Sequence, residues 1–160
     1  MRRLILLRHA KSDWGAVGLD DHERPLNPRG RLAATLMGAY LRDEGLVPDI
    51  ALVSSARRTR ETWARMALDA AQKTLPTLYH AEPATILDAA MSVPDDAGVV
   101  LVLGHQPGMQ MAANDLLGGW EVDEYPTAKL AVIDFDVESW ADVAFGGGRL
   151  VREASPKTLV

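Results

Sequence analysis

Five consecutive apolar residues, Val99-Val100-Leu101-Val102-Leu103, constrain this chain more than any other stretch. The run has a strand's length and lies between the turn Pro94–Gly98 and Gly104. A strand apolar at every position, not every second one, needs cover on both faces, as a central strand of a parallel sheet has. Two similar runs precede it, at residues 3–8 and at Asp49–Val53, with helical stretches between them. The alternation predicts a three-layer α/β/α sandwich built on a mostly parallel sheet.

The helices follow from their caps and spacing. Asn27 before Pro28 reads as an N-cap with proline at the first helical position. Leu32, Leu36, Tyr40 and Leu41 then share one helical face, with Gly45 as the stop. The other expected helices run from Arg57 to Lys73, from Pro83 through Ala90, and from Met109 to Leu117. Thr77–His80 reads as a short third strand. Residues 129–135 read as a late strand. Trp140–Phe145 and Leu150-Val151 read as shorter ones separated by Gly146-Gly147-Gly148, giving the sheet an antiparallel edge. Lys11 to Arg24 is polar and reads as a loop. No repeat or linker divides residues 1–160, so a single domain is expected.

Composition narrows the function classes. The net charge of −5 disfavours general attraction to nucleic acid or anionic membrane, so an anion site must be a local cluster of basic residues. The absence of cysteine excludes disulfides, thiolate metal sites and a cysteine nucleophile. Arg2-Arg3 precedes an apolar run too short for a signal peptide, and no stretch has the ~18 apolar residues of a spanning helix. A soluble, cytoplasmic chain is expected.

Three strands end alike: the first at Arg8-His9, the second at Ser54-Ser55 before Arg57-Arg58, the fourth at Gly104-His105. Parallel strands share a C-terminal edge, where open α/β sheets bind ligands. That edge would gather His9, an arginine of the Arg57/Arg58 pair, and His105. Guanidinium charges repel a metal cation, so no metal is expected. They match phosphate oxygens bidentately, and helix starts near Arg58 and after Pro107 can add backbone N–H groups. A phosphoryl group needs positioning and charge neutralisation above all, and a neutral histidine among arginines could serve as its nucleophile. A backbone carbonyl accepting from the other ring nitrogen would set the tautomer. Taken singly, the features favour a bland reading: Arg57, Arg58 and Arg60 fit a solvated helix face and His105 a hydrogen-bonded turn residue, and it is their common placement at strand ends that points to a site.

The motifs have a family likeness. Leu6-Leu7-Arg8-His9-Ala10 resembles the Arg-His-Gly signature of the histidine phosphatase superfamily, with Ala10 where glycine is commoner. Arg24-Pro25-Leu26-Asn27-Pro28-Arg29-Gly30 resembles its helix entry. Ser54-x-x-x-Arg58-x-x-x-Thr62 resembles its second motif, Gly104-His105-Gln106-Pro107-Gly108 its second-histidine motif, and Pro126-Thr127 is also similar. Arg8-His9-Ala10-Lys11-Ser12-Asp13-Trp14 and the compact length are most similar to SixA-like phosphohistidine phosphatases.

The resemblance implies a phosphoglycerate mutase-like fold and no cofactor. It implies His9 as phosphoryl acceptor, Arg8, Arg58 and His105 as oxygen ligands, and Ser12 near the phosphate. It implies an acid after the third strand, for which Glu82 is the nearest match. Related mutases carry asparagine where this chain has Gly15. Between Ala81 and Val99 there is no insertion to build a cap, which implies an open site suited to a phosphorylated protein such as a histidine phosphotransfer domain. The alternatives are a phosphatase or mutase acting on small phosphoesters, and a non-catalytic module that binds phosphoproteins.

Overall fold

The apolar runs become strands because each is covered on two sides. A computed structural model describes residues 1–14 and 17–159. In chain order it contains β1 (Arg2–Arg8), α1 (Pro28–Asp43), β2 (Ile50–Ser54), α2 (Arg57–Met66), β3 (Ala71–Leu75), α3 (Pro83–Met91), β4 (Val99–Gly104), α4 (Gly108–Leu117), β5 (Leu130–Phe135) and β6 (Gly148–Ala154). The strands form one sheet in the order β3-β2-β4-β1-β5-β6. The first four are parallel, and both antiparallel pairings involve β5, one place in from the edge. β4 lies between β2 and β1, as its apolar run requires.

Alternation along β1 separates two cores. Leu4 and Leu6 pack with Val100, Val102 and the α3–α4 layer. Ile5 and Leu7 pack with Leu101, Leu103, Met37, Leu41 and Met66 in the α1–α2 layer. All four β1 side chains are fully buried, consistent with the period of two along a strand. No helix among the described residues is long and apolar enough to cross a membrane.

Five expectations change. α2 ends at Met66, well before Lys73. Ala67 turns left-handed at φ 51°, and the Arg42 guanidinium donates to the Met66 and Ala67 carbonyls that the helix leaves open. The third strand is Ala71–Leu75, not Thr77–His80. It is an exposed edge strand without apolar alternation, so helical spacing reads straight through it. Pro76–Leu78 then forms a 3₁₀ turn.

Trp140–Phe145 is not a strand either. Trp140 starts a 3₁₀ turn and is fully buried, its indole N–H donating to the Ala97 carbonyl at 2.6 Å. The last strand is longer than Leu150-Val151, running from Gly148 to Ala154.

The buried face of α1 also differs. It comprises Gly30, Ala34, Met37, Gly38 and Leu41, leaving Leu32 74% exposed. Close backbone packing decides this. A Cβ at Gly30 would stand 2.0 Å from the Lys11 carbonyl oxygen, and one at Gly38 would stand 2.2 Å from that of Met66. The helix therefore turns its glycine side inward, and Asn27 accepts from the Gly30 N–H as the expected cap. Leu41→Ala should destabilise the fold by about 2–5 kcal/mol, the usual range for a truncated core leucine. Leu32→Ala should change stability by under about 0.5 kcal/mol. Denaturant unfolding of the two variants checks the orientation of α1.

Candidate active site

The C-terminal ends of β1, β2 and β4 meet at one edge of the sheet, joined by the segment that enters β5. His9 lies just beyond β1. Its N–H donates to the Gly104 carbonyl at 3.1 Å, and its own carbonyl accepts from Ala128 at 2.9 Å. Its ring Nδ1 lies 2.7 Å from the Ala10 carbonyl oxygen. A carbonyl can only accept, so Nδ1 carries the proton and the neutral ring keeps its lone pair on Nε2. Ala10 is itself fixed, since its N–H donates to Thr62 Oγ1 at 3.0 Å, and that hydroxyl donates to the Arg58 carbonyl at 2.7 Å. Burial pushes the His9 pKa down to about 3. The Ala10 hydrogen bond opposes the shift, while Arg58, Arg8 and Arg24 add to it. The ring is neutral at physiological pH.

The spacing Ser54-x-x-x-Arg58-x-x-x-Thr62 has a geometric reason. Ser54 closes β2 and its hydroxyl lies 2.7 Å from His105 Nε2. Arg58 and Thr62 follow on one face of α2, one turn apart. Arg58 is 2% exposed and donates to the Asp21 backbone carbonyl at 2.7 Å and to its carboxylate at 3.1 Å. Arg57 points elsewhere, to Glu61. Arg8 donates to the Tyr125 carbonyl at 2.9 Å. Burial and the neighbouring Arg58 lower its pKa. The His105 ring centre is 5.4 Å from that of His9. Burial lowers its pKa to about 2, helped by His9, Arg58 and His80 and opposed by Asp21.

Arg8, His9, Ser12, Arg58 and His105 all line one cavity of about 360 Å³, together with Arg24. Arg24 donates to Ser12 Oγ at 2.8 Å and lies 3.4 Å above the Trp14 ring centre. Among the described residues, the buried side-chain polar atoms left without a partner are Arg8 Nε, Arg58 Nε and His105 Nδ1, all on residues of this cavity. The unpaired buried guanidinium donors ask for an acceptor with several oxygens and a negative charge. Clustered guanidinium groups suit a phosphoryl group and repel a cation. Among the described residues no cluster of three or more His, Cys, Asp or Glu side chains could hold a metal.

Glu82 is not brought to this cavity. It is exposed at the start of α3 and lines a neighbouring groove beside Met111 and Phe145. Its place in the sequence after the third strand suggested a site position, but the turn into α3 carries it past the edge. Gly15 lies outside the described residues.

Sequence reasoning missed three partners. Asp21 accepts from Arg24, Arg58, Tyr79 and His80. Partial burial opposes ionisation, yet the hydrogen bonds from Tyr79, His80 and Arg58 hold its carboxyl well below the usual carboxylate range. His80 lines both the cavity and the groove, and its backbone is left-handed at φ 52°. Placing the third strand at 77–80 hid Tyr79 and His80 inside it. Pro76, which ends β3, was the available signal that they belong to the loop at the edge.

Residues 4–80 match the histidine phosphatase superfamily (branch 1). An uncharacterized protein of Mycobacterium tuberculosis is 36% identical over 154 residues, covering 91% of this chain and 96% of the relative. The structure of a protein from Nakamurella multipartitia assigned as the phosphohistidine phosphatase SixA superposes with a TM-score of 0.89 at 34% identity, over 97% of this chain and 96% of that one. The 2,3-bisphosphoglycerate-dependent phosphoglycerate mutase of Streptomyces avermitilis is 38% identical over 73 residues, 44% of this chain and 28% of the mutase.

The two depressed histidines have a measurable consequence. Unfolded histidine titrates near ~6.5, whereas His9 and His105 stay neutral down to about 3 and about 2. Between those limits the unfolded chain binds more protons, so stability is lost as pH falls from ~6.5 towards 3. In an NMR titration from pH 8 to pH 5, the His9 ring should stay neutral with its proton on Nδ1. A midpoint near 6.5 would contradict the site geometry.

Proposed function

The chain belongs to the histidine phosphatase superfamily, and on that footing we propose that it is a metal-independent phosphatase working through a covalent phosphohistidine on His9. Membership supports a phosphatase or a mutase. The observation that carries the finer reading is the His9 ring, neutral and tethered through Nδ1 to the Ala10 carbonyl, beside unpaired donors of Arg8 and Arg58 and an unpaired ring nitrogen of His105. On this reading residues 1–160 act as a single cytoplasmic catalytic domain.

Arg8, Arg58 and His105 hold the phosphoryl oxygens, and Arg24, steadied by Ser12, faces the same charge. His9 Nε2 attacks phosphorus. The bond to the leaving nitrogen or oxygen breaks, and its electron pair stays with the leaving atom, which takes up a proton. Glu82 lies in the wrong groove for that proton. Asp21 remains an anion, and the neutral rings of His9 and His105 have other duties. His80 is the better carrier: Asp21 holds its Nε2 at 3.0 Å, and the ring borders both the cavity and the open groove. Water then attacks phospho-His9, its proton passes to His80, and inorganic phosphate leaves. His9 is restored with its Nδ1 proton in place throughout. Both half-reactions lean on positioning and charge neutralisation.

The substrate class follows from access. α3 (Pro83–Met91) begins directly after the site loop, and only a short turn, with no inserted cap, separates it from β4 at Val99. Such an edge admits a side chain projecting from a folded partner, so protein phosphohistidine is the preferred substrate, consistent with the SixA-like neighbour. Hydrolysis or mutation of small phosphoesters is the second reading, favoured by the similarity to phosphoglycerate mutases in less than half of the chain.

Kinetic comparison of a phosphorylated histidine phosphotransfer protein with 3-phosphoglycerate separates the two. The first should have the larger kcat/KM, and the reverse order would favour the second. His9→Ala should lower kcat by at least about a thousandfold, as removal of a nucleophile does, and EDTA should leave activity intact. Undiminished turnover by His9→Ala refutes the covalent route. His80→Gln should slow substrates with poor leaving groups by about a hundredfold while sparing p-nitrophenyl phosphate, whose leaving group needs little protonation.

A further inference from the structure

The exposed stripe of α1 borders the phosphate cavity and carries unused charge. Arg29, Leu32 and Leu36 lie three and four residues apart, so they share a helix face. The core face of α1 is the other one, which leaves Leu32 74% exposed. Opposite the stripe stands Lys157, in the C-terminal turn Pro156–Thr158, whose start is closed by a reciprocal Ser155–Thr158 cap. The groove between them has a volume of about 640 Å³ and is floored by Pro126-Thr127. Lys11 and Thr127 line both this groove and the phosphate cavity, so the two adjoin.

Charge distinguishes this groove from the rest of the surface. Most basic side chains of the chain are engaged: Arg3 with Asp134, Arg57 with Glu61, Lys129 with Glu153, Arg152 with Glu44. Among the described residues Lys11, Arg29, Arg65, Lys73 and Lys157 have neither an ion pair nor a side-chain hydrogen bond; carboxylates line the grooves of Arg65 and Lys73, whereas no Asp or Glu lines this one. This occurs in a chain of net charge −5. The groove on the other side of the cavity has the opposite character, with Glu82 and Asp115 in its walls. The phosphate cavity is thus flanked by a basic, leucine-bearing channel on one side and an acidic, apolar one on the other.

We propose that the groove bounded by Lys11, Arg29, Leu32 and Lys157 docks an acidic, leucine- or isoleucine-bearing segment of the phosphorylated protein next to its phosphorylated side chain. This deepens the phosphatase reading and rests on it for the identity of the neighbouring cavity. Unpaired cations beside an exposed leucine complement carboxylates beside an apolar side chain. Such rim charges select partners and steer their approach. A small phosphoester would use only the cavity.

Two peptides test this on the full chain. Each carries a phosphonate analogue of phosphohistidine. One has Asp and Leu on both flanks, and the other has Lys in place of Asp. Fluorescence anisotropy should show the acidic peptide binding at least about tenfold more tightly at low salt, with the gap shrinking at 0.5 M salt as screening shortens the reach of the charges. The double variant Arg29→Glu/Lys157→Glu should abolish or invert the preference, and Leu32→Asp should weaken the acidic peptide. Both should hydrolyse p-nitrophenyl phosphate at the wild-type rate.

Equal binding of the two peptides, or a preference that survives the double variant, overturns the proposal. So does a parallel loss of p-nitrophenyl phosphate hydrolysis, which would make the groove structural, or displacement by single-stranded DNA as effective as by the acidic peptide. Binding and turnover read different claims. Absence of any phosphate release strikes the phosphatase reading, while release without charge preference strikes only the docking surface.

Discussion

The hydrogen bond from His9 Nδ1 to the Ala10 carbonyl sets what this site can do. It decides which ring nitrogen keeps a lone pair, and the rest of the edge is arranged to preserve it. Ala10 cannot swing away, because Thr62 holds its N–H and the Arg58 carbonyl holds Thr62. His9 is pinned on its other side by Gly104 and Ala128. A residue just past the end of a strand would ordinarily be loosely placed. Here β1, β4, α2 and the approach to β5 all constrain it, and the parallel sheet makes that convergence possible.

Cation crowding is the other half of the arrangement. Burial keeps the His9 imidazole neutral, and the charges of Arg58, Arg8 and Arg24 add to the effect; burial and the neighbouring Arg58 also lower the Arg8 pKa. Asp21 offsets part of this charge, accepting from Arg24, Arg58, Tyr79 and His80 at once. Arg8 and Arg58 still retain an unpaired buried donor each. Unsatisfied buried donors destabilise a fold, so their concentration in one cavity marks where a ligand anion belongs. A site built this way favours developing negative charge over a neutral ligand, as phosphoryl transfer demands.

The parts of the fold legible in sequence were those with redundant signals. Val99–Leu103 is apolar throughout and became the central strand. Arg8-His9, Arg58 and His105 stand at strand ends or one helical turn beyond, so parallel order alone brought them together. Elements whose pattern reflects solvent were misjudged. β3 is an exposed edge without alternation, so a helix was read through it and the loop holding Tyr79 and His80 was lost. In α1 the apolar spacing pointed to Leu32, but the approach of the Lys11 and Met66 backbones to Gly30 and Gly38 fixes the buried face. Glu82 was placed by its position along the chain, whereas the turn into α3 decides which groove it enters. Long-range backbone contacts of this kind leave no local trace in the sequence.

The cavity lies between two grooves of opposite charge at an uncapped edge, so both chemistry and partner choice rest on where the phosphoryl group is held relative to His9. The most direct measurement is rapid quenching of the enzyme with ³²P-labelled phosphohistidine protein in base, followed by peptide mapping of the label. Transient, base-stable label on His9, attached through Nε2, is the predicted result. Label on any other residue, on Nδ1 of His9, or no label while phosphate is released would contradict the account.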